Sequence, residues 1–248
     1  MNRCTLCPRR CGADRTVSVG RCGVGEQVRL ARAALHFWEE PCVSGEEGSG
    51  TVFFSGCSLG CVFCQNYQIS AGHFGRDIPV ERLAEIFLEL QEQKANNINL
   101  VTGGHYIPQI VRALDLVRGK LHIPVVYNSS GYETVEALRM LKGYVDVYLP
   151  DLKYRSPERG ARYSHAPDYF AVASKAILEM FDQVGPVRFD GRGMIQKGLI
   201  VRHMVMPNGV EDSMDILTWI AGNLPLDDIL VSVMSQYTPF YKSGEYPE

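Results

Sequence analysis

The chain reads as an α/β protein, a partial (β/α)6 barrel of parallel strands preceded by a small cysteine-rich appendage. Three observations carry this. From residue 50 onward, apolar β-branched runs alternate strictly with segments of helical periodicity. The alternation occurs six times rather than eight, which leaves the barrel open along one side. All eight cysteines of the 248 residues fall within the first 64, so the leading segment differs in composition from the rest.

The strand-like runs are Thr51–Phe54, Ile98–Val101, Pro124–Tyr127, Val145–Leu149, Leu199–Val205 and Ile229–Val233. Helical runs lie between them at Pro79–Lys94, Pro108–Arg118, Thr134–Leu141, Tyr169–Val184 and Asp212–Asn223. In the first helix Val80, Leu83, Ile86, Phe87 and Leu90 recur on one face, with charged residues between. Strict alternation implies a parallel sheet with right-handed crossovers, a TIM-like architecture. Residues 1–49 read as a metal-stapled segment and 50–248 as the barrel. After the sixth strand the chain runs QYTPFYKSGEYPE without a closing helix. The sequence leaves open whether that tail packs on the barrel or the chain is clipped there.

A hydrophobic content of 46% with 21% charged residues suits a globular domain with a sizeable core. The net charge of −3 gives no basic footprint, which disfavours nucleic acid as a partner. No signal-peptide core is visible, and no apolar run reaches the ~18 residues of a membrane span. The expectation is a soluble, cytoplasmic protein without a membrane partner. Eight cysteines crowded into one end of such a chain point to metal chemistry rather than disulfides.

The most informative run is GTVFFSGCSLGCVFCQNY, with Cys57, Cys61 and Cys64 spaced C-x3-C-x2-C directly after the first barrel strand. One short loop can wrap a cluster with three thiolates. Three ligands leave one iron of a 4Fe–4S cluster open to bind something else. Phe63 adds an aromatic face beside it. Catalytic groups in parallel barrels collect at the C-terminal ends of strands, and polar or glycine-rich residues stand at each such point. They are Gly103 and Gly104 after the second strand, and Asn128, Ser129 and Ser130 after the third. Asp151 and Lys153 follow the fourth, Arg202 lies in the fifth, and Gln236 and Tyr237 end the sixth. His203, on the opposite face from Arg202, reads as a satisfied core histidine.

The three-cysteine motif with its aromatic resembles the signature of the radical S-adenosylmethionine (SAM) superfamily. That resemblance implies that the open iron binds the amino and carboxylate groups of SAM. It also implies reductive cleavage to a 5′-deoxyadenosyl radical that abstracts hydrogen, with Cys57, Cys61 and Cys64 catalytic. Gly103 and Gly104 match a G-G-E-type loop for the SAM amino group, with His105 in the acid's place. Asn128 and Ser130 lie in a segment similar to the D-x-N-G run of glycyl-radical-enzyme activases. There the amide replaces an acid and makes a monovalent cation site doubtful. Lys153, in the shared D-L-K run, is expected on the methionine carboxylate. Arg202 is expected near the SAM or substrate pocket.

Cys4, Cys7, Cys11 and Cys22 form C-x2-C-x3-C-x10-C in a core-poor segment, a pattern for structural zinc or a second iron–sulfur cluster. Cys42 reads as buried. C-x-L-C-P-R-x-C-G, LHFWEEPCVSG and the cluster run together resemble the pyruvate formate-lyase activating enzyme-like branch of the superfamily. That resemblance implies hydrogen abstraction from a glycine of a protein partner, a glycyl radical enzyme. It also implies an electron donor such as flavodoxin or ferredoxin. Abstraction from a small molecule or another peptide, or a non-catalytic SAM and cluster-binding module, stand as alternatives.

Overall fold

The computed structural model describes residues 3–247. In chain order the elements are β1 (Val28–His36), α1 (Pro41–Ser44), β2 (Ser49–Phe54), α2 (Tyr67–Ser70), β3 (Arg76–Ile78), α3 (Val80–Glu92), β4 (Ile98–Val101), α4 (Ile107–Leu116) and β5 (Val125–Ser129). There follow α5 (Val135–Met140), β6 (Val147–Pro150), α6 (Pro157–Ser164), α7 (Tyr169–Val184), β7 (Arg188–Phe189), β8 (Ile195–Met204), α8 (Val210–Asn223) and β9 (Leu230–Met234). The sheet order is β3-β1-β2-β4-β5-β6-β8-β7, with β9 beside β8. The neighbours β2, β4, β5, β6, β8 and β9 all pair in parallel. These are the six barrel strands that the alternation predicts.

Strand parity sorts the side chains. Outward residues such as Val52, Phe54, Leu100, Tyr127, Tyr148, Leu199 and Val201 join the main core under the helices. Inward residues Val126, Val147, Leu149 and Ile200 form a second, smaller cluster with Val43 of α1. The short α1 therefore plugs the barrel floor, held by Asn97 Nδ2 donating to Val43 O (2.7 Å) and Asn96 Nδ2 to Ser44 O (2.7 Å). Cys42 packs half-buried against the same inner cluster. Above that floor the inner face turns polar at Asn128, Asp151 and Arg202, and this change of lining is what makes a site.

Several elements were not anticipated. Strand β1 lies antiparallel on β2, and β3 adds to its outer edge. Half-exposed along most of its length, and covered by β3 only over Val28–Leu30, β1 lacks the apolar run that betrays buried strands. Helix α6 is short and polar, though Ser156 caps it by accepting from Arg159 N, and Pro157 opens it. At the other end, β9 pairs only with β8 among the described strands, and Val231 and Val233 are exposed along it. The barrel is open there. The tail is ordered against the cluster loop: Lys242 N donates to Val62 O (2.9 Å), and Tyr241 stacks on Tyr67 with centroids 5.1 Å apart.

Candidate active site

Strand β2 ends at Phe54, and the chain then turns through Ser55 and Gly56 into the three-cysteine loop. Gly56 has φ +90°, and a Cβ there would lie 2.7 Å from the Cys22 carbonyl. The thiols of Cys57, Cys61 and Cys64 are all free and act on one another electrostatically. Each sulfur has a polar group beside it. Leu59 N donates to Cys57 Sγ (3.4 Å), Ser164 Oγ lies 2.9 Å from Cys61 Sγ, and Ser70 Oγ lies 3.3 Å from Cys64 Sγ. Burial pushes the Cys61 thiol up to about 12, opposed by the Lys153 ammonium, and burial also raises Cys57. Among the described residues no group of three His, Cys, Asp or Glu side chains is drawn in to single-ion coordination distance. Three soft sulfurs, hydroxyl and amide donors that favour the thiolate, and a nearby cation are a donor set that fits an iron–sulfur cluster.

Beside the loop, the inner ends of β5, β6 and β8 carry one connected ionic network. Lys153 Nζ meets Asp151 Oδ2 at 2.6 Å, and Arg202 reaches Asp151 Oδ1 from Nε (3.1 Å) and Nη2 (3.0 Å). Arg202 Nη2 also donates to Asn128 Oδ1 (2.8 Å). Burial alone would raise the Asp151 carboxyl, but the two cations hold it below its usual range. Burial would lower both cations, yet Asp151 keeps Lys153 and Arg202 above their ordinary values. Tyr169, from the start of α7, donates towards Ser130 O (2.7 Å) and Asp151 O (2.8 Å) and accepts from Lys153 N (3.1 Å). One hydroxyl thus ties together the ends of β5 and β6.

The sequence-derived residues do not all land in this network. Asn128, Lys153 and Arg202 do. Ser130 contributes its backbone oxygen, and Phe63 stands half-buried beside the loop, edge-on to Tyr237 at 6.1 Å. Gln236 is exposed. Gly103 and Gly104 lie at the strand end, but their missing side chains serve packing: a Cβ on Gly103 would come 2.7 Å from Ile110 Cδ1, and one on Gly104 would collide with the Glu133 carboxylate. His105 does not stand in for an acid. It is buried, its Nε2 is 2.8 Å from Ser55 O, and desolvation lowers it to about 4. It is a neutral brace for the turn into the cluster loop. His203 is a core histidine, bonded to Leu152 O (2.7 Å) and Ser213 Oγ (2.8 Å).

Three residues were missed. Glu39, just before α1, bridges Arg202 Nη1 (3.3 Å) and Asn128 Nδ2 (3.2 Å) from inside the barrel. Its carboxyl is raised by burial against the opposing pull of Arg202. Its partners lie 89 and 163 residues away, so no local pattern could flag it. Thr102 has φ +58°, a strained conformation for a β-branched residue, at the very end of β4. Glu133 is buried outside the barrel wall, against Gly104 and near Cys7, and burial pushes it up to about 8. The Tyr127 hydroxyl is close enough to oppose that shift but is not placed for a hydrogen bond.

A six-stranded open parallel barrel with a three-thiol loop and an ion-paired strand-end network defines a class of cluster-dependent barrel enzyme. The comparisons agree. Residues 51–215 match the family model for the radical SAM superfamily, and the chain belongs to that superfamily. It is also 35% identical over 254 residues to the uncharacterized protein MJ0674 of Methanocaldococcus jannaschii, covering 99% of this chain and 69% of that relative. Membership implies an enzyme that uses a 4Fe–4S cluster and SAM. No helix among the described residues is long and apolar enough to cross a membrane.

Proposed function

We propose that the protein generates a radical from SAM and uses it to abstract hydrogen from a glycine of a protein partner, as an activase of the pyruvate formate-lyase activating enzyme-like type. Cys57, Cys61 and Cys64 would hold the cluster, and Cys4, Cys7, Cys11 and Cys22 a second metal. When bound, cluster and SAM together supply one-electron reductive cleavage and a 5′-deoxyadenosyl radical. This chain's own residues bind and orient. Lys153, between Asp151 and the cluster thiols, offers its ammonium to the carboxylate of SAM. Arg202, fixed by Asp151, Asn128 and Glu39, presents a second cation whose orientation is set before the ligand arrives. The backbone at Gly103 and Gly104, with Asn128 and Ser130, lines the strand ends where the nucleoside would lie, and Phe63 covers the loop.

The observation that carries this reading is the adjacency of the three free thiols to the Lys153–Asp151–Arg202 network at one barrel mouth. Among the described strands β9 pairs only with β8, and that open side supports a bulky substrate. An electron donor such as flavodoxin or ferredoxin would supply the electron that reductive cleavage requires.

The test is anaerobic reconstitution with iron and sulfide, then SAM and a strong reductant. We expect 5′-deoxyadenosine from the native chain and none from Cys61→Ala. A reduced cluster that leaves SAM intact would favour a binding module. Incubation with a candidate glycyl radical enzyme should give a glycyl radical signal by electron paramagnetic resonance. Turnover of only small molecules or other peptides would overturn the activase part.

A further inference from the structure

We propose that Cys4, Cys7, Cys11 and Cys22 bind a single zinc-class divalent ion, and that this closed centre fixes the joint on which the cluster loop rests. It deepens the second-metal part of the reading above and holds whether or not the chain cleaves SAM.

The knuckle is built by its backbone. Cys4 N donates to Ala13 O (3.0 Å) and Gly12 N to Cys4 O (3.0 Å), which pairs the segment around Cys4 with that around Cys11. Arg10 N closes a turn onto Cys7 O (3.0 Å), and Gly20 N reaches Val24 O (3.1 Å) to form the turn that carries Cys22. The sulfurs converge. A Cβ on Gly20 would sit 3.3 Å from Cys22 Sγ and 3.5 Å from Cys11 Sγ, and Cys4 acts electrostatically on both Cys7 and Cys22.

Backbone amides two residues on oppose the effect of burial at three sulfurs, Arg9 at Cys7, Ala13 at Cys11 and Val24 at Cys22, and Cys22 Sγ also lies 3.9 Å from Val24 O. Glycines with φ +67° and +80° follow Cys11 and Cys22 and turn the chain to allow this. Leu59 N stands in the same relation to Cys57 in the cluster loop. Burial nonetheless raises the Cys7 and Cys22 thiols, while Cys11 is lowered, so a bound cation is what would hold the first two as thiolates.

The segment has little else to hold it. Leu6 and Val24 are buried, but Val17 and Val19 are 84% and 62% exposed, and every cysteine is free. A piece this small without a core needs a staple. Four thiolates with a C-x2-C pair suit a tetrahedral zinc site. Cys4, Cys7 and Cys22 are buried and Cys11 is exposed, so a fourth thiolate from Cys11 would close the site from the solvent side. Metal binding to so small a segment would be coupled to its folding.

The centre is joined to the cluster loop at two points. Cys57 N donates to Cys22 O (3.2 Å). Arg9, between Cys7 and Cys11, donates to Ser58 O (2.9 Å) and to Ser164 O (3.0 Å), and the hydroxyl of Ser164 touches Cys61 Sγ.

The test uses the full chain carrying Cys57→Ala, Cys61→Ala and Cys64→Ala, so that the cluster loop has no thiols. Metal analysis should find about one zinc per chain, with four sulfur neighbours by X-ray absorption. Adding Cys7→Ser should weaken zinc retention roughly tenfold or more. Iron with sulfide in the triple variant, or no metal, overturns the proposal. Should that variant fail to fold, the native chain stripped of iron in air should keep its zinc, and loss of both overturns it equally. For the joint, removing zinc from the native chain should speed hydrogen exchange at the Cys57 amide roughly tenfold or more, since the Cys22 carbonyl then moves. Unchanged exchange there would separate the centre from the loop and sink the supporting role.

Discussion

The two thiol regions use the same ligand atom and differ in what surrounds it. In the N-terminal knuckle the sulfurs sit among backbone groups and tight turns, with Cys4, Cys7 and Cys22 buried and Cys11 exposed. In the cluster loop they are half-buried, touched by the hydroxyls of Ser164 and Ser70, and face the Lys153 cation at the barrel mouth. Ligand type alone does not separate a structural centre from a reactive one. A charged network within reach does; access alone does not, since Cys11 of the knuckle is exposed.

The comparison is sharpened first at the seam between the regions, where Glu133 lies near Cys7 and against Gly104. Its folded-state pKa of about 8 stands above the ordinary 4.5, so the native chain binds more protons than the unfolded one between those values. Stability therefore falls as pH rises through that window. Glu133→Gln should remove the penalty, stabilising the chain at pH 8.5 by on the order of 3 kcal/mol and by little at pH 5. Denaturant melts at the two pH values read this directly. An equal effect at both would mean that the carboxylate is solvated.

A smaller effect is expected inside the mouth. Lys153→Met removes the cation facing the cluster thiols and should weaken SAM binding by roughly 10- to 100-fold, about 1.4–2.8 kcal/mol. Equilibrium dialysis against the reconstituted protein measures it, with zinc content in the knuckle unchanged. Undiminished affinity would place SAM elsewhere. The smallest effect belongs to the tail. Tyr241→Ala breaks the stack on Tyr67 and should cost about 1 kcal/mol of local stability. It should also speed alkylation of Cys64 in the metal-free chain. Unaltered alkylation would show that the tail does not shield the loop.

Much of this was legible in the sequence because its physics is local. Buried parallel strands announce themselves as apolar runs, and the start and end of Tyr169–Val184 coincide with its periodicity. Lys153 and Asp151 could be placed on the inner face by counting in twos from Leu149. What stayed hidden was set by distance in the chain. Glu39 sits in a run that reads as a lead-in, and only folding brings it to Arg202 and Asn128. His105 occupies the position of an acid in the motif, but its ring turns back to Ser55, and the nearby carboxylate at Gly104 comes from Glu133 on another loop. Strand β1 escaped because an antiparallel strand that stays half-exposed needs no continuous apolar run.

The most direct measurement is the electron paramagnetic resonance spectrum of the reduced, reconstituted chain before and after SAM is added. An iron held by only three thiolates should bind SAM and change the spectrum of the cluster, in the native chain and not in one whose cluster is fully ligated. A spectrum that SAM leaves unaltered would contradict an open iron at Cys57, Cys61 and Cys64.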